Sequence, residues 1–158
     1  MSEYMRTELG EFSSIVCFKA VITGMEDLLG VQATGIALKG AGRKRGVRLV
    51  ESLGFSRGSA TMAQLPQIAQ ELNKALGTSG TKLCLIDRIE SHGEVVRVYA
   101  RETVCSAHEL PGSTRECTFT LGAVHGAIEY LLDESYTARH VECVLRGHTH
   151  DVFELTPR

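Results

Sequence analysis

The sequence predicts an α+β protein, with helices packed on one side of an antiparallel sheet of about four strands. Three observations carry that reading. Three amphipathic stretches of helical period fill the first half of the 158-residue chain. The period changes to two near Thr81. One further helical stretch then sits among strand-like segments. The length suits one domain over 1–158, with a helical N-terminal region over residues 1–80 and a core of about 81–158.

"SSIVCFKAVITGMEDLLG" places Ile15, Phe18, Val21, Ile22, Met25, Leu28 and Leu29 on one face, with Gly30 as its C-cap. "GAGRKRGVRLVESLG" reads as a second helix, with Val47, Val50 and Leu53 on its apolar side and Gly54 at its end. In "TMAQLPQIAQELNKALG", Leu65, Ile68, Ala69, Leu72 and Leu76 share a face and Gly77 caps it. Pro66 fits there only in the first turn, where its missing N–H goes unused. "TKLCLIDRIES" and "GEVVRVYARETV" alternate, and the "SHGE" between them predicts a hairpin turn. "TFTLGAVHGAIEYLLDES" reads as the fourth helix, with Phe119, Ala123, Ala127 and Leu131 along one stripe. Gly122 and Gly126, one turn apart, leave a groove for a ligand or another backbone. "TARHVECVLRG" and "HDVFELTP" read as the last two strands, joined at Gly147.

Composition narrows the function classes. The chain is 43% hydrophobic and 23% charged with a formal net charge of -2, which gives no broad attraction to nucleic acid. No apolar run approaches the roughly 20 residues that span a bilayer, so no transmembrane segment is expected. The N-terminal "MSEYMRTELGEF" has early acids and no apolar core, unlike a secretory signal, so a cytoplasmic location is expected, in the cytosol or peripheral to a membrane. The five cysteines are Cys17, Cys84, Cys105, Cys117 and Cys143. An odd number in a reducing compartment argues against a disulfide framework and leaves buried thiols or metal ligands.

Several short motifs invite chemistry. "GHTH", with His148 and His150, resembles a metallophosphoesterase segment, but the Asp-x-His and Asn-His-Asp/Glu segments that complete such a site are absent. "ALKGAGRKRG" has GxGxxxG spacing rather than a nucleotide loop, and it reads as the Gly-rich start of a helix with an exposed basic turn. Arg43, Lys44 or Arg45 there is suited to holding a carboxylate or phosphate. Cys105, Cys117 and Cys143 have no CxxC spacing, yet His108, His148, His150 and Asp151 lie near enough in sequence to complete a tetrahedral set. Small core cysteines are the plainer alternative. Cys105 near His108 lacks an orienting third group for nucleophilic catalysis. His125, on the late helix, is placed to approach a bound metal or tetrapyrrole, with a surface or core histidine the more common outcome.

Residues 93–155 resemble the 4-vinyl reductase domain. The pieces are "RETVC" with Cys105, "PGSTRECTF" with Cys117 and Phe119, and "LGAVHGAIEYLL" with Gly122, Gly126 and Glu129. "ECVLRGHTHDVFEL" closes the pattern with Cys143, Gly147 and Phe153. "MEDLLG" before "ALKGAGRKRG" resembles the N-terminal region of longer members. The resemblance implies a fold like the small subunits of the TRAPP vesicle-tethering complex, commonly dimeric. It implies a hydrocarbon-binding role, with a hydrophobic or tetrapyrrole-like ligand held between helices and sheet and links to (bacterio)chlorophyll metabolism or photosystem assembly. On that pattern Phe119, Val124, His125, Ile128 and Leu131 line the ligand site, and Cys105, Cys117, Cys143 and His150 hold zinc. The pattern places a further cysteine eight residues after Cys143; that position here is Asp151, with His150 beside it. The implied partners are a second copy, a hydrophobic small molecule and a protein in an assembly complex. One alternative is a dimeric scaffold without ligand. Another is an accessory to 4-vinyl reduction, since no hydride-cofactor motif supports independent catalysis and no residue is assigned a catalytic role.

Overall fold

The computed structural model describes Glu8 and residues 14–158. Apart from Glu8, the N-terminal segment read above as lacking a secretory signal lies outside the described residues. The elements in chain order are α1 (Ile15–Leu29), α2 (Val31–Ser52), α3 (Leu65–Leu76), β1 (Leu85–His92) and β2 (Val95–Arg101). They continue with α4 (Phe119–Leu132), β3 (Tyr136–Glu142) and β4 (Asp151–Pro157). The strands form one antiparallel sheet in the order β1-β2-β4-β3. This is the α+β architecture that the change of period predicts.

Alternation along the strands decides which face is buried. Val96, Val98 and Ala100 of β2 pair with Leu155, Phe153 and Asp151 of β4, and all six are 0% exposed. Ala138 and His140 of β3 continue the row beside Leu155 and Phe153. On the opposite face Arg97 pairs with Glu154 at 2.7 Å and the Arg88 guanidinium lies over the Tyr99 ring, while Val152 beside Tyr99 is buried as well. The inner row packs with Leu65, Ile68, Leu72 and Leu76 of α3 and Val124, Ile128 and Leu131 of α4 in one core. Each such side chain contributes about 1.5–3 kcal/mol by leaving water. No helix among the described residues is long and apolar enough to cross a membrane.

Local signals hold where they are strongest. The Ser14 hydroxyl accepts from the Val16 and Cys17 N–H groups to start α1. Pro66 sits in the first turn of α3, behind a Thr61–Gln64 capping box. Two readings change. First, α2 begins at Val31, immediately after Gly30, so "ALKGAGRKRG" lies inside the helix rather than at its start. Glycine disfavours a helix interior, and tertiary contact overrides that preference. Gly42 and Gly46 face Gly122 and Gly126 of α4, and each of these positions lies against the partner helix's backbone. The groove read at Gly122 and Gly126 is therefore filled by another backbone, that of α2. Second, α1 does not bury its whole apolar face. Ile22 is buried, but Val21, Leu28 and Leu29 are exposed, Leu28 at 86%.

Candidate functional site

Strand alternation also builds a polar cluster at one end of the core. Asp151 opens β4 on the same face as Phe153 and Leu155, which drives a carboxylate to 0% exposure. A buried carboxylate needs partners, and it has several. The Thr103 hydroxyl donates to Asp151 Oδ2 at 2.7 Å, and the Val144 N–H donates to Oδ1 at 3.2 Å. His140 Nε2 lies 3.2 Å from Oδ1. The Cys117 N–H donates to His140 Nδ1 at 3.1 Å. The neutral ring therefore carries its proton on Nε2 and donates it to Asp151. Burial pushes the Asp151 carboxyl up, but the hydrogen bonds from His140, Thr103 and Cys143 outweigh it and hold the group below its ordinary range.

The cysteines converge on this carboxylate. Cys105 and Cys117 are disulfide-bonded, with Cα atoms 5.2 Å apart, whereas the sequence favours reduced thiols. The loop between them brings Cys117 back beside Cys105. Lys19 of α1 donates to the Cys105 carbonyl at 2.9 Å and pairs with Glu109 at 2.8 Å. Arg115 then pairs with both Glu109 and Glu26. Thr103 Oγ1 lies 2.8 Å from Cys105 Sγ and 3.5 Å from Cys117 Sγ. Cys143 remains a thiol; burial and the nearby Asp151 raise its pKa. Cys84 packs in the core, and burial, then Asp151, pushes it up to about 12, so it is inert.

Among the described residues, two sets have donor atoms all within 4.8 Å of one another, Cys105 with Cys117 and Asp151, and His140 with Cys143 and Asp151. Asp151 belongs to both. Thiolate, imidazole and carboxylate are the donors that a zinc ion takes, so the chemistry of this set fits the metal. With both ring nitrogens engaged, His140 acts in this arrangement as the group that orients Asp151.

His150 lies elsewhere. Because its neighbour Asp151 points inward, His150 points to the opposite face, where Nε2 lies 2.9 Å from Asp87 and the ring meets Tyr99 edge-on. His148, the other histidine of "GHTH", is exposed beside Glu142. His108 is exposed while Cys105 is buried and bonded, so no Cys–His dyad forms. Arg43 does hold a carboxylate, that of Glu129 in α4. Sequence reasoning missed Thr103 and His140. The signal for His140 was available, because it follows Tyr136 and Ala138 at period two on a core-facing row.

The residues expected to line a ligand site separate. Val124, Ile128 and Leu131 are fully packed in the core. His125 Nε2 lies 3.0 Å from the Tyr136 carbonyl oxygen and 3.1 Å from Glu129. Phe119 meets Phe18 of α1 edge-on and lines an open cleft of about 1140 Å³. Ile15, Phe18, Val21, Leu76 and Leu83 supply its other apolar surfaces. Arg45, Lys82 and Glu102 are its charged residues, and Ser14, Ser52, Thr81, Thr103 and Ser106 add hydroxyls. Cys17, on the apolar side of α1, is exposed along the same wall. Lys82 and Glu102 both hold left-handed backbone, φ 55° and 50°, a conformation that costs a side-chain-bearing residue energy and often marks functional rims. Thr103 is shared: it lines the cleft and touches Asp151 and both bonded cysteines.

No protein-family model matches the chain, and no curated protein matches it in sequence. Solved structures do. The phenol-responsive sensory domain of the transcription activator PoxR, solved with phenol, superposes with TM-score 0.68 at 15% identity, covering 93% of this chain and 76% of that one. A trafficking protein particle complex subunit 3 from Naegleria fowleri, covalently bound to palmitic acid, gives 0.58 at 15% identity, covering 91% and 92%. A vinyl-4-reductase family protein from Methanocaldococcus jannaschii gives 0.50 at 15% identity, covering 96% and 85%. Four helices and a four-stranded antiparallel sheet, in the arrangement that these structures share, make this a protein of the 4-vinyl reductase and TRAPP-subunit fold.

Proposed function

We propose that the chain is a binding protein for a hydrophobic small molecule, seated in the cleft between α1, α2 and the Glu102–Ala107 turn. The observation that carries this reading is the cleft itself, about 1140 Å³ with apolar walls and a few charged fixtures. Ligand sites combine these features, an apolar lining with sparse polar groups that fix orientation. The volume admits a single aromatic ring, an acyl chain or a tetrapyrrole, and a chlorophyll precursor is the narrower ligand class proposed. A zinc ion held by Cys105, Cys117, Cys143 and Asp151, with His140 orienting the carboxylate, ties the 105–117 loop to the β3–β4 connection. Zinc bound there supplies structural rigidity beside the cleft.

Titration of the full chain with phenol, palmitate and protoporphyrin IX, followed by calorimetry, tests the reading. At least one probe is expected to bind, with Phe18→Ala about tenfold weaker. Binding of none, or equal binding by Phe18→Ala, overturns it. A second reading, a dimeric assembly factor, draws on one observation: Val21, Leu28, Leu29, Val31 and Ile36 of α1 and α2 are large apolar side chains left exposed.

A further inference from the structure

The residues that suit a metal ion include two that are bonded to each other. A cysteine sulfur in a disulfide has no thiolate to offer, so the bonded pair and the liganded pair exclude one another. We infer that Cys105 and Cys117 form a redox switch, which releases the metal from the proposed zinc site when oxidised and restores the site when reduced. This inference rests on the metal-binding reading above.

The surroundings favour exchange between two states. Cys105 and Cys117 close a short loop, and Lys19 anchors that loop through the Cys105 carbonyl and Glu109 in a way that involves neither sulfur. Asp151 and Cys143 are not consumed by the bond and, with His140 orienting the carboxylate, remain as a preformed half-site against it. The cleft gives a small oxidant or reductant a route, because Thr103 and Ser106 line it and Thr103 touches both sulfurs. Cys17 and Cys84 do not join either donor set.

The step balances with a peroxide or a small disulfide as oxidant. The Cys105 and Cys117 thiolates each give up one electron and the S–S bond forms. The metal leaves as a divalent cation. Hydrogen peroxide accepts the two electrons and two protons from solvent and becomes two waters; a small disulfide instead becomes two thiols. A dithiol or phosphine runs the exchange in reverse.

The test uses the full chain, zinc chloride and a chromophoric chelator. Protein reduced with a phosphine under argon, and the same protein oxidised with hydrogen peroxide, are each titrated while free thiols are counted by alkylation and mass spectrometry. Circular dichroism checks that both forms are folded. The expected result is about one zinc per reduced chain, with affinity at least about 100-fold weaker after oxidation. Two thiols should disappear on oxidation, and peptide mapping should place the bond between Cys105 and Cys117. Cys117→Ser should abolish the redox dependence. Equal zinc affinity in both states, or two thiols lost elsewhere, overturns the switch and leaves the metal reading standing. Absence of zinc from the reduced protein overturns both.

Discussion

Replacing Gly46 by alanine tests the packing of α2 on α4 against helix propensity, because the two effects have opposite signs. Alanine in a helix interior is favoured over glycine by about 1 kcal/mol. At Gly40, also in α2, an added Cβ meets nothing within 4 Å, so Gly40→Ala should stabilise the protein by about 0.5–1 kcal/mol. At Gly46 the same methyl falls on the Ala123 carbonyl oxygen and beside the Ala127 amide. These are backbone atoms of α4 and cannot rotate aside, so the helices must move apart. Overpacking of this kind costs about 1–3 kcal/mol, more where backbone must shift. The gain in propensity offsets part of it, and a net loss of about 2 kcal/mol is expected for Gly46→Ala. Urea unfolding followed by far-UV circular dichroism separates the pair, and melting temperatures should shift in opposite directions by several degrees. If both variants are stabilised alike, the close helix contact does not exist and the account of why α2 carries Gly42 and Gly46 in its interior fails.

Further outcomes follow from the ion pairs, the metal donors and the exposed helix face. The hydrogen bond from Lys19, with those from Ser113 and Arg115, draws Glu109 from 4.5 down to about 2. A depressed carboxylate stabilises the fold above its unfolded value, and that stabilisation is lost as pH falls from about 4.5 toward 2. Glu109→Gln should therefore cost about 1–2 kcal/mol at neutral pH, a penalty that shrinks across that acid window in urea titrations. Asp151→Asn should weaken zinc binding by about 10–100-fold in chelator competition, whereas His150→Ala should leave it unchanged; the reverse order would restore His150 as the ligand. If the exposed apolar face of α1 and α2 joins two copies, Leu28→Glu should shift the sedimentation coefficient toward the monomer, and an unchanged dimer would remove that surface from the interface.

Where hydrophobic period alone decided the outcome, the sequence was legible. Leu65, Ile68, Leu72 and Leu76 read as one face of α3 and pack as one. The alternation of Val96 and Val98 marked the inward row of β2. The start of α2 was hidden because the reason for that helix is not local: its glycines make sense only against α4, which comes much later in the chain. The inward turn of Asp151 was legible from its spacing to Phe153 and Leu155, although the neighbouring His150 is the more conspicuous metal ligand. Thr103 had no signal, since a threonine after a strand gains its role only from the elements that fold around it. The exposure of Val21, Leu28 and Leu29 on the apolar face of α1 is not legible, because the same periodicity describes a helix that packs on its own chain and one that does not.

Gly30 is the sole residue between α1 and α2, serving as C-cap of one and N-cap of the other with φ 84°. The tilt of α1 is thus set at a single joint, in a conformation that glycine adopts freely. Ile15, Phe18 and Val21 on α1 form one jaw over the cleft, while Arg45 and Ser52 on α2 belong to the other side. Away from that joint, the jaw is fastened by a small apolar cluster around Ile22, Leu38 and Val104, separate from the main core. The ion pairs of Lys19 with Glu109 and of Arg115 with Glu26, the Lys19 bond to the Cys105 carbonyl and the Phe18–Phe119 contact add to it. The α1 wall of the cleft is therefore continuous with α2 through one glycine and is held elsewhere by a few polar contacts and a minor cluster.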